Sequence, residues 1–250
     1  MIDLTGRTAL VTGGSRGVGR ATALLLARAG ADVALTCRTR LSDAEGVARR
    51  IRDMGRRALA VAGDLSDPDA VTGIMTQVRE QFGHLDSFIA NAGIWPAEPV
   101  PLAAMSGERW QRTISANLDA VFLTTRAALG LMRAGGSIVL VSSTAGQRGE
   151  ADHADYAASK GALIALTKSL AVECAPGITV NCVAPGWIDT EMALPALADG
   201  ARERIAAAIP LRRIASAEDV AGPIVFLCSV LARHITGEIL NVNGGAVLCG

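Results

Sequence analysis

The stretch Thr8-Ala9-Leu10-Val11-Thr12-Gly13-Gly14-Ser15-Arg16-Gly17-Val18-Gly19 decides the fold. Thr8 to Thr12 reads as a buried strand, and a helical pattern follows from about Gly17 to Ala29. The glycines between them permit a tight turn, close approach of backbone to a ligand, and close packing of helix on strand. A helix that starts at such a turn aims unpaired N–H groups and a positive dipole end at it, which suits a phosphate. The spacing Gly13-x-x-x-Gly17-x-Gly19 is not G-x-G-x-x-G, and no Lys-Ser or Lys-Thr follows the last glycine as a nucleoside-triphosphate loop requires. Gly13, Ser15, Arg16, Gly17, Val18 and Gly19 are therefore read as the cradle of a dinucleotide pyrophosphate.

Outward from this turn, short apolar runs alternate with helical patterns. Asp32 to Thr36, Ala58 to Ala62, Ser87 to Ala90, Ser137 to Ser142 and Thr179 to Ala184 continue the series of strands, with a helix around Ser42 to Met54. Continuous apolar strands separated by helices predict a parallel sheet covered on both faces. Right-handed crossovers then give an α/β fold with one Rossmann-type doubly wound sheet of about seven strands. No linker or repeat divides the 250 residues, so residues 1–250 read as one domain. Trp187 to Pro210 breaks the alternation just beyond a strand's carboxyl end, and 187–210 is expected to be a substrate lid.

Charge narrows the function classes. Lysine plus arginine and aspartate plus glutamate each number 24, which offers no general basic surface to nucleic acid. The cysteines (Cys37, Cys174, Cys182, Cys228 and Cys249) are odd in number and form no C-x-x-C pair, so they read as reduced buried thiols, and no metal site is expected. The start of the chain has no basic segment leading into an apolar one, and the longest apolar run, Pro223 to Ala232, is short of the roughly 20 residues of a membrane span. A cytoplasmic protein without membrane attachment is expected.

The end of the second strand bears on the cofactor. An acid there would bind a ribose 2′-hydroxyl. Instead the run is Thr36-Cys37-Arg38-Thr39-Arg40, and Asp32 lies at the strand's other end. Arg16 and Arg38 are expected to converge on a 2′-phosphate, so NADP(H) is favoured over NAD(H). Asp64-Leu65 and Asn91-Ala92-Gly93 follow the third and fourth strands at the same edge, where adenine and ribose would lie.

A proton-transfer group lies further on. Tyr156 and Lys160 share one helix face in DYAASKGALIALTKSLA. A free phenol has a pKa near ~10, and a neighbouring ammonium is expected to lower it. Ser143, at the carboxyl end of the fifth strand, can donate to a carbonyl oxygen. Asn117, in mid-helix where asparagine is a mediocre helix former, suggests a water ordered beside Lys160.

Taken in this order and spacing, the turn Thr12 to Gly19, Asp64-Leu65, Asn91-Ala92-Gly93, Asn117, Ser143, Tyr156-x-x-x-Lys160 and Pro185-Gly186 resemble the short-chain dehydrogenase/reductase family over nearly the whole chain. The resemblance implies a catalytic tetrad of Asn117, Ser143, Tyr156 and Lys160. It also implies that Asp64 and Leu65 hold adenine, that Asn91 supports the adenosine side, and that Ile188 backbone and Thr190 hydroxyl hold the carboxamide beyond Pro185-Gly186. A homotetramer is implied as well. The ending Gly237 to Gly245 is similar to 3-oxoacyl-ACP reductases. Val172, however, stands where those reductases commonly carry an arginine toward the carrier protein, and few basic residues end the preceding helix.

The expected activity is thus NADP(H)-dependent hydride transfer to a carbonyl or from an alcohol. An acyl thioester competes as substrate with a small ketone, diketone or sugar alcohol. Trp95, Met192 and Leu194 suggest a partly apolar pocket, and His153 reads as a solvated loop residue. A non-enzymatic dinucleotide sensor is the alternative of another class, and it would not need Ser143, Tyr156 and Lys160 together.

Overall fold

The computed structural model describes residues 2–248. Among these described residues, seven strands form one sheet in the order β3-β2-β1-β4-β5-β6-β7, every neighbour parallel. The first half runs β1 (Thr8–Val11), α1 (Gly17–Arg28), β2 (Asp32–Cys37), α2 (Leu41–Asp53), β3 (Ala58–Ala62), α3 (Pro68–Phe82) and β4 (Leu85–Ala90). The second half runs α4 (Gly107–Ile114), α5 (Ala120–Leu129), β5 (Met132–Val141), α6 (Thr144–Arg148), α7 (Ala154–Glu173), β6 (Ile178–Pro185), α8 (Ala201–Ala208), α9 (Ala217–Leu227) and β7 (Ile239–Val242). The α/β doubly wound sheet expected from the alternation is present.

Side chains along each strand point alternately to opposite faces, and both faces are covered. Ala9 and Val11 join the core beneath α1, α2 and α9, while Leu10 between them joins the core beneath α3, α5 and α7. A strand buried on both sides has no polar face to show, which is why these segments read as unbroken apolar runs. Strand order reverses at β1, which lies between β2 and β4. The crevice outside the carboxyl ends of the strands at this point is where such sheets receive ligands.

Two strands begin earlier than their apolar runs. β4 starts at Leu85 and contains Asp86, which is buried. Its carboxylate accepts hydrogen bonds from Thr8 N (2.8 Å), Arg133 Nη2 (2.9 Å) and Arg7 Nη1 (3.1 Å), so it ties β1 and β5 to β4 at the sheet's amino edge. β5 starts at Met132, where Arg133 to Gly136 give no apolar signal and the pairing with β4 shifts register. The irregular 187–210 stretch contains a 3-10 turn at Leu194–Leu197 and α8, which buries none of its residues. Its start is fixed by a parallel bridge between Ile188 and Ala215.

Of the cysteines, Cys37, Cys174, Cys182 and Cys228 are free, and Cys249 lies outside the described residues. Burial pushes the Cys182 and Cys228 thiols up to about 11. No described helix is long and apolar enough to cross a membrane.

Burial raises the Asp86 carboxyl, but the Thr8 N–H, Arg133 and Arg7 outweigh it and hold the group below the usual carboxylate range. The carboxylate thus stabilises the fold above the unfolded carboxyl value and loses that contribution as pH falls through its own lower value. Asp86→Ala strands a buried N–H and is expected to cost about 2 kcal/mol, or roughly 5 °C in Tm at neutral pH. In acid denaturation monitored by circular dichroism, the gap between variant and parent should close as pH falls below the carboxylate range.

Candidate active site

A cleft of about 390 Å³ opens at the carboxyl edge where strand order reverses. Every residue that the sequence pattern assigns to the site lines it, except Gly19 and Asn117. Gly19 acts from behind: a Cβ there would stand 2.2 Å from the Gly13 carbonyl oxygen, so only glycine lets α1 start this close to the turn. The turn is pinned to β4 by Thr12, whose Oγ1 accepts from Asn91 N and Ala92 N, each at 3.0 Å. Asn91 Nδ2 returns a bond to Thr12 O at 2.9 Å. Arg16, the residue before α1, gives that helix no side-chain cap. Its first N–H groups therefore keep their capacity to donate to an anion.

Arg16 and Arg38 both line the basic end of the cleft, each engaged by a different carboxylate. Arg38 Nη2 pairs with Asp64 Oδ2 at 2.8 Å, whereas Arg16 Nη1 meets Glu191 Oε2 at 2.9 Å. The second guanidinium on Glu191 belongs to Arg40, 2.5 Å away, which also holds Asp43. All these side chains are substantially exposed, so each pair contributes at most about 1 kcal/mol. Arg40 and Glu191 were not legible as site residues, because the contact spans 151 positions. Asp32 is remote from this cluster, bonded to Arg57 Nε at 2.7 Å.

At the opposite end stand Ser143, Tyr156 and Lys160. Ser143 precedes α6 and caps it, its Oγ accepting from Ala145 N at 3.1 Å. Burial pushes the Tyr156 phenol up to about 12, against a downward pull from the Ser143 hydroxyl. The expected lowering by Lys160 does not appear: Lys160 Nζ donates to Val141 O at 2.8 Å and lies over the phenol ring, 5.9 Å from its centre. Burial also draws Lys160 down to about 8. Gly93 leaves room for this arrangement, since a Cβ there would stand 2.9 Å from Asn117 Oδ1 and 3.4 Å from Lys160 Nζ.

Asn117 lies in a π-helical turn, Ser115–Asp119, between α4 and α5. Such turns recur at functional sites because they re-aim backbone groups. Its side chain makes three hydrogen bonds: Oδ1 accepts from Ile94 N (2.7 Å), and Nδ2 donates to Ile94 O (3.0 Å) and Ser159 Oγ (3.1 Å). It joins the loop after β4 to α7, which carries Tyr156.

His153 is not solvated. It is buried, with its ring stacked on Trp95 at 5.1 Å, and Trp187 meets Trp95 edge-on at 5.8 Å. Trp95 and Trp187 adjoin the lining residues Ile94, Gly186 and Ile188 in sequence, but neither they nor His153 line the cleft. Met192 lines the cleft, but Leu194 is exposed and does not. Asp155, beside Tyr156, is buried and accepts from Thr113 Oγ1 (2.7 Å) and Arg109 Nε (3.3 Å), and so fixes the start of α7.

These residues fit a dinucleotide: an uncapped helix end at a glycine turn, guanidinium groups at one end of the cleft, and a phenol and an ammonium at the other. The family model described as enoyl-(acyl carrier protein) reductase matches residues 13–247. A short-chain dehydrogenase/reductase structure from Brucella melitensis is 36% identical, covers 99% of each chain and superimposes with a TM-score of 0.92. The chain belongs to the short-chain dehydrogenase/reductase family. Among relatives in this family, cis-4-hydroxycyclohexanecarboxylate dehydrogenase from Sinomonas cyclohexanicum is 44% identical over 243 residues, 96% of each chain. The 3-oxoacyl-(acyl-carrier-protein) reductase of Escherichia coli (strain K12) is 40% identical over 248 residues, 98% of each. A short-chain dehydrogenase structure from Burkholderia cenocepacia in complex with NADP is 40% identical, with a TM-score of 0.90 over 97% of this chain and 98% of that one. This short-chain dehydrogenase/reductase is accordingly an oxidoreductase.

Lys160 is held charged at neutral pH against burial, so the folded state carries a cost there. Its folded value lies below its unfolded one, so stability rises as pH climbs from about 8 toward 10.5 and the cost disappears. Lys160→Met is expected to melt a few degrees above the parent at pH 7, with the difference shrinking toward pH 10. A difference that is constant across this range would contradict the assignment.

Proposed function

We propose that the protein is an NADP(H)-dependent oxidoreductase that interconverts a carbonyl group and a secondary alcohol. The observation that carries this reading is a single cleft with Arg16, Arg38 and Arg40 at one end and Ser143, Tyr156 and Lys160 at the other. The absence of an acid at the end of β2 and the NADP-bound Burkholderia cenocepacia relative support the phosphorylated cofactor. When bound, the dinucleotide supplies or accepts the hydride.

The chain's own residues do the rest. Main-chain N–H groups of the glycine turn at Gly13, Ser15, Gly17 and Val18 hold the pyrophosphate, with Gly19 admitting the helix. Asp64 and Leu65 flank the adenine, and Asn91, Ala92 and Gly93 support the ribose side. Pro185 and Gly186 lead into Ile188 and Thr190, which hold the carboxamide. Ser143 donates a hydrogen bond to the substrate oxygen, and Tyr156 delivers the proton in reduction and takes it in oxidation. A phenol pushed up to about 12 is reliably protonated for delivery at neutral pH. Oxidation needs a lower value, which Lys160 can provide once its ammonium moves from Val141 O toward the phenol. Asn117 positions the loop after β4 and α7 around it. Segment 187–210, with α8 burying nothing, closes over the substrate as a lid.

A small cyclic alcohol or ketone is the second reading for substrate, supported by the relative named for a cyclic hydroxy acid and by the exposed, uncharged Val172. Val172 is 79% exposed and offers no charge to a carrier protein. The relative acting on a hydroxycyclohexane acid has this kind of substrate.

Three experiments test these readings. Purified protein should oxidise NADPH with a 3-oxo substrate and leave NADH nearly unused; equal use of the two would remove the cofactor assignment. Acetoacetyl-CoA reduction is to be compared with NADP+-linked oxidation of cis-4-hydroxycyclohexanecarboxylate, and the larger kcat/KM decides the substrate class. Tyr156→Phe is expected to lower kcat by a factor of about 10³ or more while NADPH quenching of tryptophan fluorescence persists. Normal turnover in that variant would rule out Tyr156 as the proton donor.

A further inference from the structure

One carboxylate oxygen at the basic end of the cleft is shared by two arginines from different segments. Glu191 Oε2 accepts from Arg16 Nη1, in the glycine turn, and from Arg40 Nη1, just before α2. Glu191 itself comes from the segment after β6, next to Thr190, which a Cβ on Gly17 would meet at 3.4 Å. An oxygen flanked by two guanidinium groups is the environment that one oxygen of a phosphate monoester seeks.

We propose that Glu191 is a built-in competitor for the ribose 2′-phosphate, and so a specificity-determining residue for the choice between phosphorylated and unphosphorylated dinucleotide. The proposal rests on the NADP(H) reading above. A 2′-phosphate entering here meets two guanidiniums already engaged by a carboxylate. The dianion, with three acceptor oxygens, takes both arginines and displaces Glu191. An unphosphorylated ribose offers only a hydroxyl and leaves Glu191 in place.

The surroundings set how strongly this competition acts. Arg40 is shared with Asp43, and Arg38 is held by Asp64, so the cluster of Arg16, Arg38 and Arg40 faces Asp43, Asp64 and Glu191. Without a phosphate its charges balance. Both ion pairs of Glu191 are open to solvent, with 51% of its side chain exposed, so the carboxylate can be displaced. Asp155, buried against Thr113 and Arg109, has no such freedom. Glu191 therefore weakens binding of the phosphorylated ligand without blocking it.

The test measures binding rather than turnover. Adenosine 2′,5′-bisphosphate and adenosine 5′-monophosphate are titrated calorimetrically into the full-length parent and into Glu191→Gln at fixed ionic strength. Glu191→Gln should tighten the bisphosphate roughly three- to tenfold and leave the monophosphate unchanged. In an Arg40→Gln background the gain from Glu191→Gln should fall to less than half. Unchanged bisphosphate affinity, an equal gain for both ligands, or a full gain without Arg40 would overturn the proposal. A parent that binds both ligands equally would instead overturn the NADP(H) reading on which it rests.

Discussion

Helix α1 begins so close to the preceding turn that a Cβ on Gly19 would collide with the Gly13 carbonyl oxygen, 2.2 Å away. The rest of the site depends on that close approach. It brings the uncapped N-terminus of α1 to the end of β1, where the neighbouring strands diverge to either side. Thr12 and Asn91 then tie the glycine turn to the end of β4 and to the loop leading to Ile94. Through Ile94 the constraint reaches Asn117, and through Ser159 it reaches the helix of Tyr156 and Lys160.

Much of this frame was legible because its physics is local. A buried parallel strand must be apolar on both faces, and a phosphate-binding turn must dispense with side chains. Tyr156 and Lys160 were legible because four residues separate neighbours on a helix. The start of β4 was hidden, since Asp86 reads as a surface charge until Thr8, Arg7 and Arg133 are seen around it. His153 read as solvated because nothing near it in sequence announces the indole of Trp95. The carboxylate partners of Arg16 and Arg38 were hidden for the same reason: which carboxylate each guanidinium finds is decided by tertiary contacts.

The two ends of the cleft use charge in opposite ways. At the basic end the ion pairs are solvated and contribute little, which is the setting that the proposed exchange of Glu191 for a phosphate requires. At the Tyr156 end the groups are buried, and burial is the largest cause that moves Tyr156 up to about 12 and Lys160 down to about 8. There the environment favours the neutral form of both residues. Charge is thus cheapest to introduce when a ligand brings it, which is how a site stays poised without being spent.

Asp86 anchors the amino edge of the sheet, and the cleft opens at the carboxyl edge. Strength and chemistry are therefore kept at opposite poles of one scaffold. Loops such as the one bearing Trp95 and the segment carrying α8 contribute little to the central sheet's cohesion, so mutation can reshape them while the chain still folds. Lineages can then explore new substrates by rewriting one rim, which is in keeping with relatives named for a cyclic hydroxy acid and for a carrier-bound acyl group at 44% and 40% identity to the same chain.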